Sequence, residues 1–190
     1  MSDYLPIKTS HTLKGTDITV GALAYGCWRF AGTDIDAASR KIETALSAGM
    51  TLIDTADIYT DNWPDGFGAA ESLLGDVIKA RPGLRTEMVL ATKGGIVPGL
   101  PYNSSRAYII EACEGSLARL KTDVIDLYQI HRPDLTAPFA ETAEALNTLA
   151  ASGKIRAVGV SNFTPAQATA LQAHLDMPIV STQPEISCMK

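Results

Sequence analysis

Several protein classes are excluded by what this chain lacks. Its three cysteines, Cys27, Cys113 and Cys188, are odd in number and far apart, with no Cys or His at metal-ligand spacing. That argues against a disulfide framework or a structural zinc site and reads as free thiols in a reducing compartment. There is no run of Lys or Arg, and 16 basic against 21 acidic side chains leave a net charge of -5. The electrostatic footprint of a nucleic-acid binder or of a membrane-surface protein is therefore missing. No apolar run approaches the roughly 20 residues that span a bilayer. The opening Met1-Ser2-Asp3-Tyr4 has no basic segment leading into an apolar one, so the expected location is cytoplasmic. No G-x-G-x-x-G follows a strand and no G-x-x-x-x-G-K-[ST] occurs, so neither Rossmann-type nor P-loop nucleotide binding is indicated. Low-complexity tracts, charge blocks and linker-like composition shifts are absent too, and residues 1–190 read as one domain.

What is present is the composition of a globular α/β protein: 190 residues, 46% hydrophobic and 19% charged. A chain of this size buries roughly 70% of its unfolded surface, which rules out intrinsic disorder. Short apolar runs of strand character alternate with longer segments of helical period, the pattern of βαβ units in a parallel sheet. The runs are Val20 to Tyr25, Met50 to Thr55, Met88 to Thr92, Val124 to Ile130, Ile155 to Val160 and Ile179 to Thr182. Between them lie five helical segments. The first has Asp34 or Asp36 as cap, apolar Ile42, Ala45 and Leu46, and a stop at Gly49. The second runs from Ala69 to Ala80, before Pro82. The third is capped by Ser104 or Ser105 and turns Ile109, Ile110, Cys113, Leu117 and Leu120 inward. The fourth carries Ala143, Leu146 and Leu149 and ends at Gly153. The last opens with Thr164-Pro165 as N-cap and N1. This spacing fits the units of a (β/α)8 barrel, with Thr9 to Leu13 and Asp17 to Thr19 around Gly15 as a short hairpin plugging its base. A closed barrel typically takes about 250 residues. The expectation is thus an incomplete TIM barrel with six strands and five helices, a piece of a longer chain, against the alternative of an open doubly wound sheet.

Chemistry in such barrels sits where the parallel strands end. The second run ends in Asp54, with Tyr59 five residues on; the third continues into Lys93; the fourth ends at His131. Neighbouring strands lie about 4.8 Å apart, so these groups can converge. Together they suit the protonation of a carbonyl oxygen as hydride reaches its carbon. A phenol gives up its proton more readily beside an ammonium, and a carboxylate keeps that ammonium charged and oriented. In this scheme Tyr59 is the acid, Lys93 and Asp54 assist it, and His131 donates to the substrate oxygen. Each residue alone also has a structural reading: Asp54 and Lys93 as an ion pair, His131 as a hydrogen-bonded histidine, Tyr59 as a half-buried aromatic. Their joint occurrence at consecutive strand ends favours an active site. A strand-end lysine also suits a Schiff-base aldolase acting through Lys93, which stays open here. Arg132 is expected to pair with Asp134. Asn103-Ser104-Ser105 reads as a helix cap more than a glycosylation site. The carboxylates between Asp57 and Asp65 fit no calcium-loop spacing, and no metal is expected.

At these residues the sequence resembles the aldo-keto reductase family. The stretches that carry the resemblance are Leu52-Ile53-Asp54-Thr55-Ala56-Asp57-Ile58-Tyr59, Ala91-Thr92-Lys93, Ile130-His131-Arg132-Pro133 and Gly153-Lys154-Ile155-Arg156-Ala157-Val158-Gly159-Val160-Ser161-Asn162-Phe163. The resemblance implies a (β/α)8 reductase of aldehydes and ketones that uses NADPH, or alternatively NADH. It implies a small-molecule carbonyl substrate, with Asp54, Tyr59, Lys93 and His131 as the catalytic tetrad. It also implies that Ser161, Asn162 and Gln183 hydrogen-bond the nicotinamide carboxamide, although these residues also suit loop-closing hydrogen bonds. Gly26, Cys27 and Trp28 match the segment bordering cofactor and substrate, with Trp28 as an apolar wall or, in the plainer reading, core filler. The seventh and eighth units, which in the family hold the pyrophosphate and the 2′-phosphate, lie outside these 190 residues. A non-catalytic, cofactor-sensing relative is the remaining alternative.

Overall fold

Apolar runs buried on both faces build a parallel sheet, and the chain shows this from its second strand pair onward. A computed structural model describes residues 9–30, 32–60 and 66–188. An antiparallel hairpin of β1 (Ser10–Thr12) and β2 (Thr19–Gly21) comes first, with Ser10 opposite Gly21. Then follow β3 (Ala24–Gly26), α1 (Ile35–Ser47), β4 (Leu52–Asp54), α2 (Ala69–Ala80), α3 (Gly83–Glu87) and β5 (Val89–Gly94). The chain continues through α4 (Arg106–Leu120), β6 (Ile125–Ile130), α5 (Phe139–Ala151), β7 (Ile155–Ser161), α6 (Pro165–Gln172) and β8 (Ile179–Gln183). Strands β3 to β8 pair in sequence order, each parallel to the next, which is the strand order of a (β/α)8 barrel. Among the described residues β3 and β8 are the two free edges of that sheet.

The helix starts follow local chemistry. Asp34 caps α1 through a 2.7 Å bond from the Ala37 amide, and Ser105 caps α4 by accepting from Tyr108. Thr164 and Gln167 form a reciprocal capping box on α6 with Pro165 at its first position. Two sequence expectations are corrected. The run Val20 to Tyr25 is not one strand: Val20 belongs to the hairpin, whose pairing extends to a bond from the Ala22 amide to the Thr9 carbonyl, and the sheet begins only at Ala24. The run is apolar throughout although only Val20 within it is buried, so hydropathy alone joins the two pieces. The five-residue α3 was not expected; it is too short to display a period.

Alternation along the strands divides the core in two. Ala91, Leu127 and Ala157 point into the barrel, where Ile18 and Val20 of the hairpin close the base against them. Ile53, Leu90, Tyr128, Val158 and Val160 point outward under the helices and meet Ile42, Leu74, Cys113, Leu117 and Leu146. Below the barrel, buried Asp126 accepts from the Leu90 amide at 2.8 Å and pairs with Arg85 at 2.9 Å and Arg156 at 2.8 Å. Arg156 also reaches Asp17 of the hairpin at 3.0 Å, which ties the plug to the sheet.

Candidate functional site

The same alternation carries polar side chains inward at the opposite, C-terminal rim. Asp54 lies two residues beyond Leu52, Lys93 two beyond Ala91, and His131 two beyond Gln129, which is itself two beyond Leu127. In register, Asp54 stands beside Ala91, Lys93 beside Gln129, and Ser161 beside Gln183. An apolar barrel interior therefore turns polar in its uppermost layer.

Lys93, only 1% exposed, sits at the centre. Its Nζ donates to Asp54 Oδ2 at 2.7 Å, to the Thr55 carbonyl at 2.8 Å and to the Tyr59 hydroxyl oxygen at 3.1 Å. An ammonium has three hydrogens, and all three are engaged. Asp54 also accepts from Gln129 Nε2 at 3.1 Å on its other oxygen and from Gln183 Nε2 at 3.2 Å. Tyr59 is delivered by the turn after β4, and Thr60 just beyond it has φ of 72°. A β-branched residue in the left-handed region is strained, and such strain concentrates at functional turns.

His131 meets the Tyr59 ring edge-on, with centroids 5.8 Å apart. Its amide donates to the Gly94 carbonyl at 2.9 Å, and its own carbonyl accepts from Asn162 Nδ2 at 3.2 Å. Burial, with the nearby charges of Lys93 and Arg132, lowers its pKa from 6.5 to about 3, so the imidazole is neutral near pH 7. Its Nδ1 is buried with no hydrogen-bond partner among the described residues. Cys27 is fully buried, and burial followed by the Asp54 charge pushes its thiol pKa up, so it stays an inert thiol. Trp28 is not core: its indole is 72% exposed and lies parallel to the Tyr59 ring, 12° between planes and 6.0 Å between centroids.

The remaining expected residues line the same rim. Ser161 Oγ donates to the Gln183 carbonyl at 3.1 Å and accepts from Asn162 Nδ2 at 2.9 Å. Among the described residues, the side-chain carbonyl oxygens of Asn162 and Gln183 accept no hydrogen bond, so both are open to a carboxamide NH2. A Cβ added at Gly26, at the end of β3, would meet nothing within 4 Å, so that strand end is open space. This donor and acceptor set fits a nicotinamide ring end.

Gln129 escaped the sequence reading, although its place two residues before His131 puts it on the same inward face. Arg132 forms no ion pair with Asp134 among the described residues. Asp134 instead accepts from the Ser104 amide at 2.9 Å and from the Thr136 amide and hydroxyl, both at 2.7 Å, which saturate it locally. Of the carboxylates between Asp57 and Asp65, those in residues 61–65 lie outside the described residues, as does the N-terminal Met1-Ser2-Asp3-Tyr4.

Comparison with known proteins gives a consistent result. The profile described as "Aldo/keto reductase family" matches residues 22–190. A 6-dehydroglucose reductase of Novosphingobium aromaticivorans is 50% identical over 194 residues, covering 100% of this chain and 63% of that protein. A 6-dehydroglucose reductase of Agrobacterium fabrum is 40% identical, over 90% of this chain and 60% of its own length. The holo form of aldo-keto reductase AKR11C1 from Bacillus halodurans superposes with a TM-score of 0.78 at 35% identity, over 94% of this chain and 58% of that one. The chain therefore spans about three fifths of the length of these relatives.

Proposed function

The chain belongs to the aldo/keto reductase family, and from that premise we propose that it is a carbonyl reductase that draws hydride from NADPH and protonates its substrate through Tyr59. The observation that carries this reading is the position of Lys93 Nζ, 2.7 Å from Asp54 and 3.1 Å from the Tyr59 oxygen. Because an ammonium only donates, the phenol oxygen is the acceptor in that contact, and its own hydrogen stays free for a substrate oxygen. Once the proton has left, the Lys93 charge lies against the phenolate, where buried electrostatic stabilisation acts most strongly. Neutral His131 gives a second hydrogen bond to the carbonyl oxygen and holds it at Tyr59. When bound, a reduced nicotinamide supplies the hydride; Ser161, Asn162 and Gln183 would hold its carboxamide and Gly26 and Trp28 would border it.

For the substrate we propose an aldehyde borne on a sugar. Two relatives are named 6-dehydroglucose reductases. The exposed Trp28 face beside Tyr59 offers an apolar wall to the C–H face of a sugar ring. The aldolase alternative is disfavoured, since a lysine with three hydrogen bonds and almost no exposure has no free lone pair for attack.

The test is consumption of NADPH, compared with NADH, in the presence of 6-dehydroglucose and simpler aldehydes, with the alcohol identified as product. Turnover to the alcohol supports the proposal. Borohydride trapping of an adduct on Lys93, without nicotinamide oxidation, would overturn it.

A further inference from the structure

Behind the catalytic rim, on the outer side of the sheet, lies a second buried polar cluster in which Asp57 is the odd member. Asp57 and Glu71 are both fully buried. Glu71 is satisfied: Oε1 accepts from the Thr92 hydroxyl at 2.5 Å and Oε2 from Arg119 Nε at 2.7 Å. The Arg119 side chain passes across Gly68, where a Cβ would come within 2.4 Å of its Cδ, and its guanidinium lies over Phe67. Asp57 has its backbone fully used. Its amide donates to the Lys93 carbonyl at 3.1 Å, and its carbonyl accepts from Gly68 at 2.8 Å. Its carboxyl group has no such anchorage, for among the described residues neither oxygen has a hydrogen-bond partner.

The charges around it are already matched. Lys93 pairs with Asp54 and Arg119 with Glu71, so an ionised Asp57 would be an uncompensated anion out of contact with water. That arrangement is strongly unfavourable, and a carboxyl avoids it by keeping its proton. The groups facing it are Glu71 from α2, Arg119 and Tyr108 from α4, Lys93 from β5 and Tyr128 from β6. Burial first, and then the Glu71 charge, raises its pKa to about 8, against the opposing pull of Arg119, the Ile58 amide and Lys93. The Ile58 amide is close enough to favour the ionised form without reaching hydrogen-bond geometry.

We propose that Asp57 is a positioning residue for the proton donor. Held as a neutral carboxylic acid, it lets the Asp54-to-Tyr59 turn close onto β5 and α2; losing its proton to solvent loosens that turn and withdraws Tyr59 from Lys93. The effect on turnover rests on the role proposed for Tyr59, whereas the effect on stability does not. The sign follows from linkage. Below the unfolded value of 3.8 both states hold the proton and the contribution is fully present. As pH rises towards about 8 the unfolded chain has lost the proton while the native one keeps it, so stability falls.

Three measurements on the whole chain test this. Infrared spectra of the wild type should show a protonated carboxylic-acid carbonyl band at pH 6 that titrates away with a midpoint near 8 and is missing from Asp57→Asn; a wild type without the band overturns the inference, even if the variant does not fold. Urea midpoints of Asp57→Asn, neutral at every pH, should gain steadily on the wild type between pH 5 and 8.5; parallel profiles overturn it. The alkaline fall of kcat should move upward by about one pH unit or more in the variant, with kcat at pH 6 changed less than about 3-fold; an unmoved limb overturns the link to Tyr59. A protein with the infrared band and the stability slope but no reductase activity would sustain the neutral Asp57 and count against the proposed function alone.

Discussion

Asp54 takes donors from three strands, β5 through Lys93, β6 through Gln129 and β8 through Gln183. A carboxylate fixed at both oxygens presents its charge to Lys93 in one orientation. Replacing Gln129 with Leu leaves Oδ1 buried and unpaired, at a cost of about 1–3 kcal/mol. The expected result is a urea midpoint lowered accordingly and kcat down about 10-fold, with KM for the aldehyde little changed. At His131 burial disfavours the charged ring. Stability from this residue is present above its ordinary value of 6.5 and is lost as pH falls towards about 3, because the unfolded chain then binds a proton that the native state refuses. His131→Gln should flatten that acid slope in urea midpoints taken from pH 7 down to 3.5; an unchanged slope would place the sensitivity elsewhere. Asp54, Tyr59, Lys93 and His131 were legible because strand-end position and residue type coincide. Gln129, an uncharged amide inside a buried strand, carries no such mark, and in the Asp57, Glu71 and Arg119 cluster the Glu71–Arg119 pair alone joins residues 48 apart, whose proximity only the fold creates.

Where α2 crosses α4, Gly75 lets the helices touch: a Cβ there would lie 2.0 Å from the Arg119 carbonyl oxygen. A backbone atom cannot step aside as a side-chain tip does. Gly75→Ala should therefore destabilise by about 1–3 kcal/mol despite the better helix propensity of alanine, and chemical denaturation checks it. At the base, Asp126 joins β6, the Arg85 of α3 and β7. Asp126→Ala should cost about 2 kcal/mol, less than a fully buried pair would lose because Arg156 is partly solvated. Helices were the legible elements, since caps, glycine stops and apolar period agree; α2 spans Ala69–Ala80 as its pattern implied. Strand boundaries were less so, because a hairpin strand that plugs a barrel and a parallel strand within it are equally apolar.

Across the whole molecule, strand order, right-sized crossovers and a base plug were readable from alternation, and with six runs in place of eight the first and last runs were left as the two edges, as the sheet order has them. Surface grooves of about 550 Å3 along α1 and β3 and about 400 Å3 along α6 and β8 follow those edges, away from Lys93. The proposed proton transfer depends on the phenol held by Lys93, and steady-state reduction of an aldehyde by Tyr59→Phe against the wild type tests it most directly. The prediction is kcat reduced about 100-fold or more with NADPH affinity nearly unchanged; a variant that turns over as fast as the wild type would contradict it.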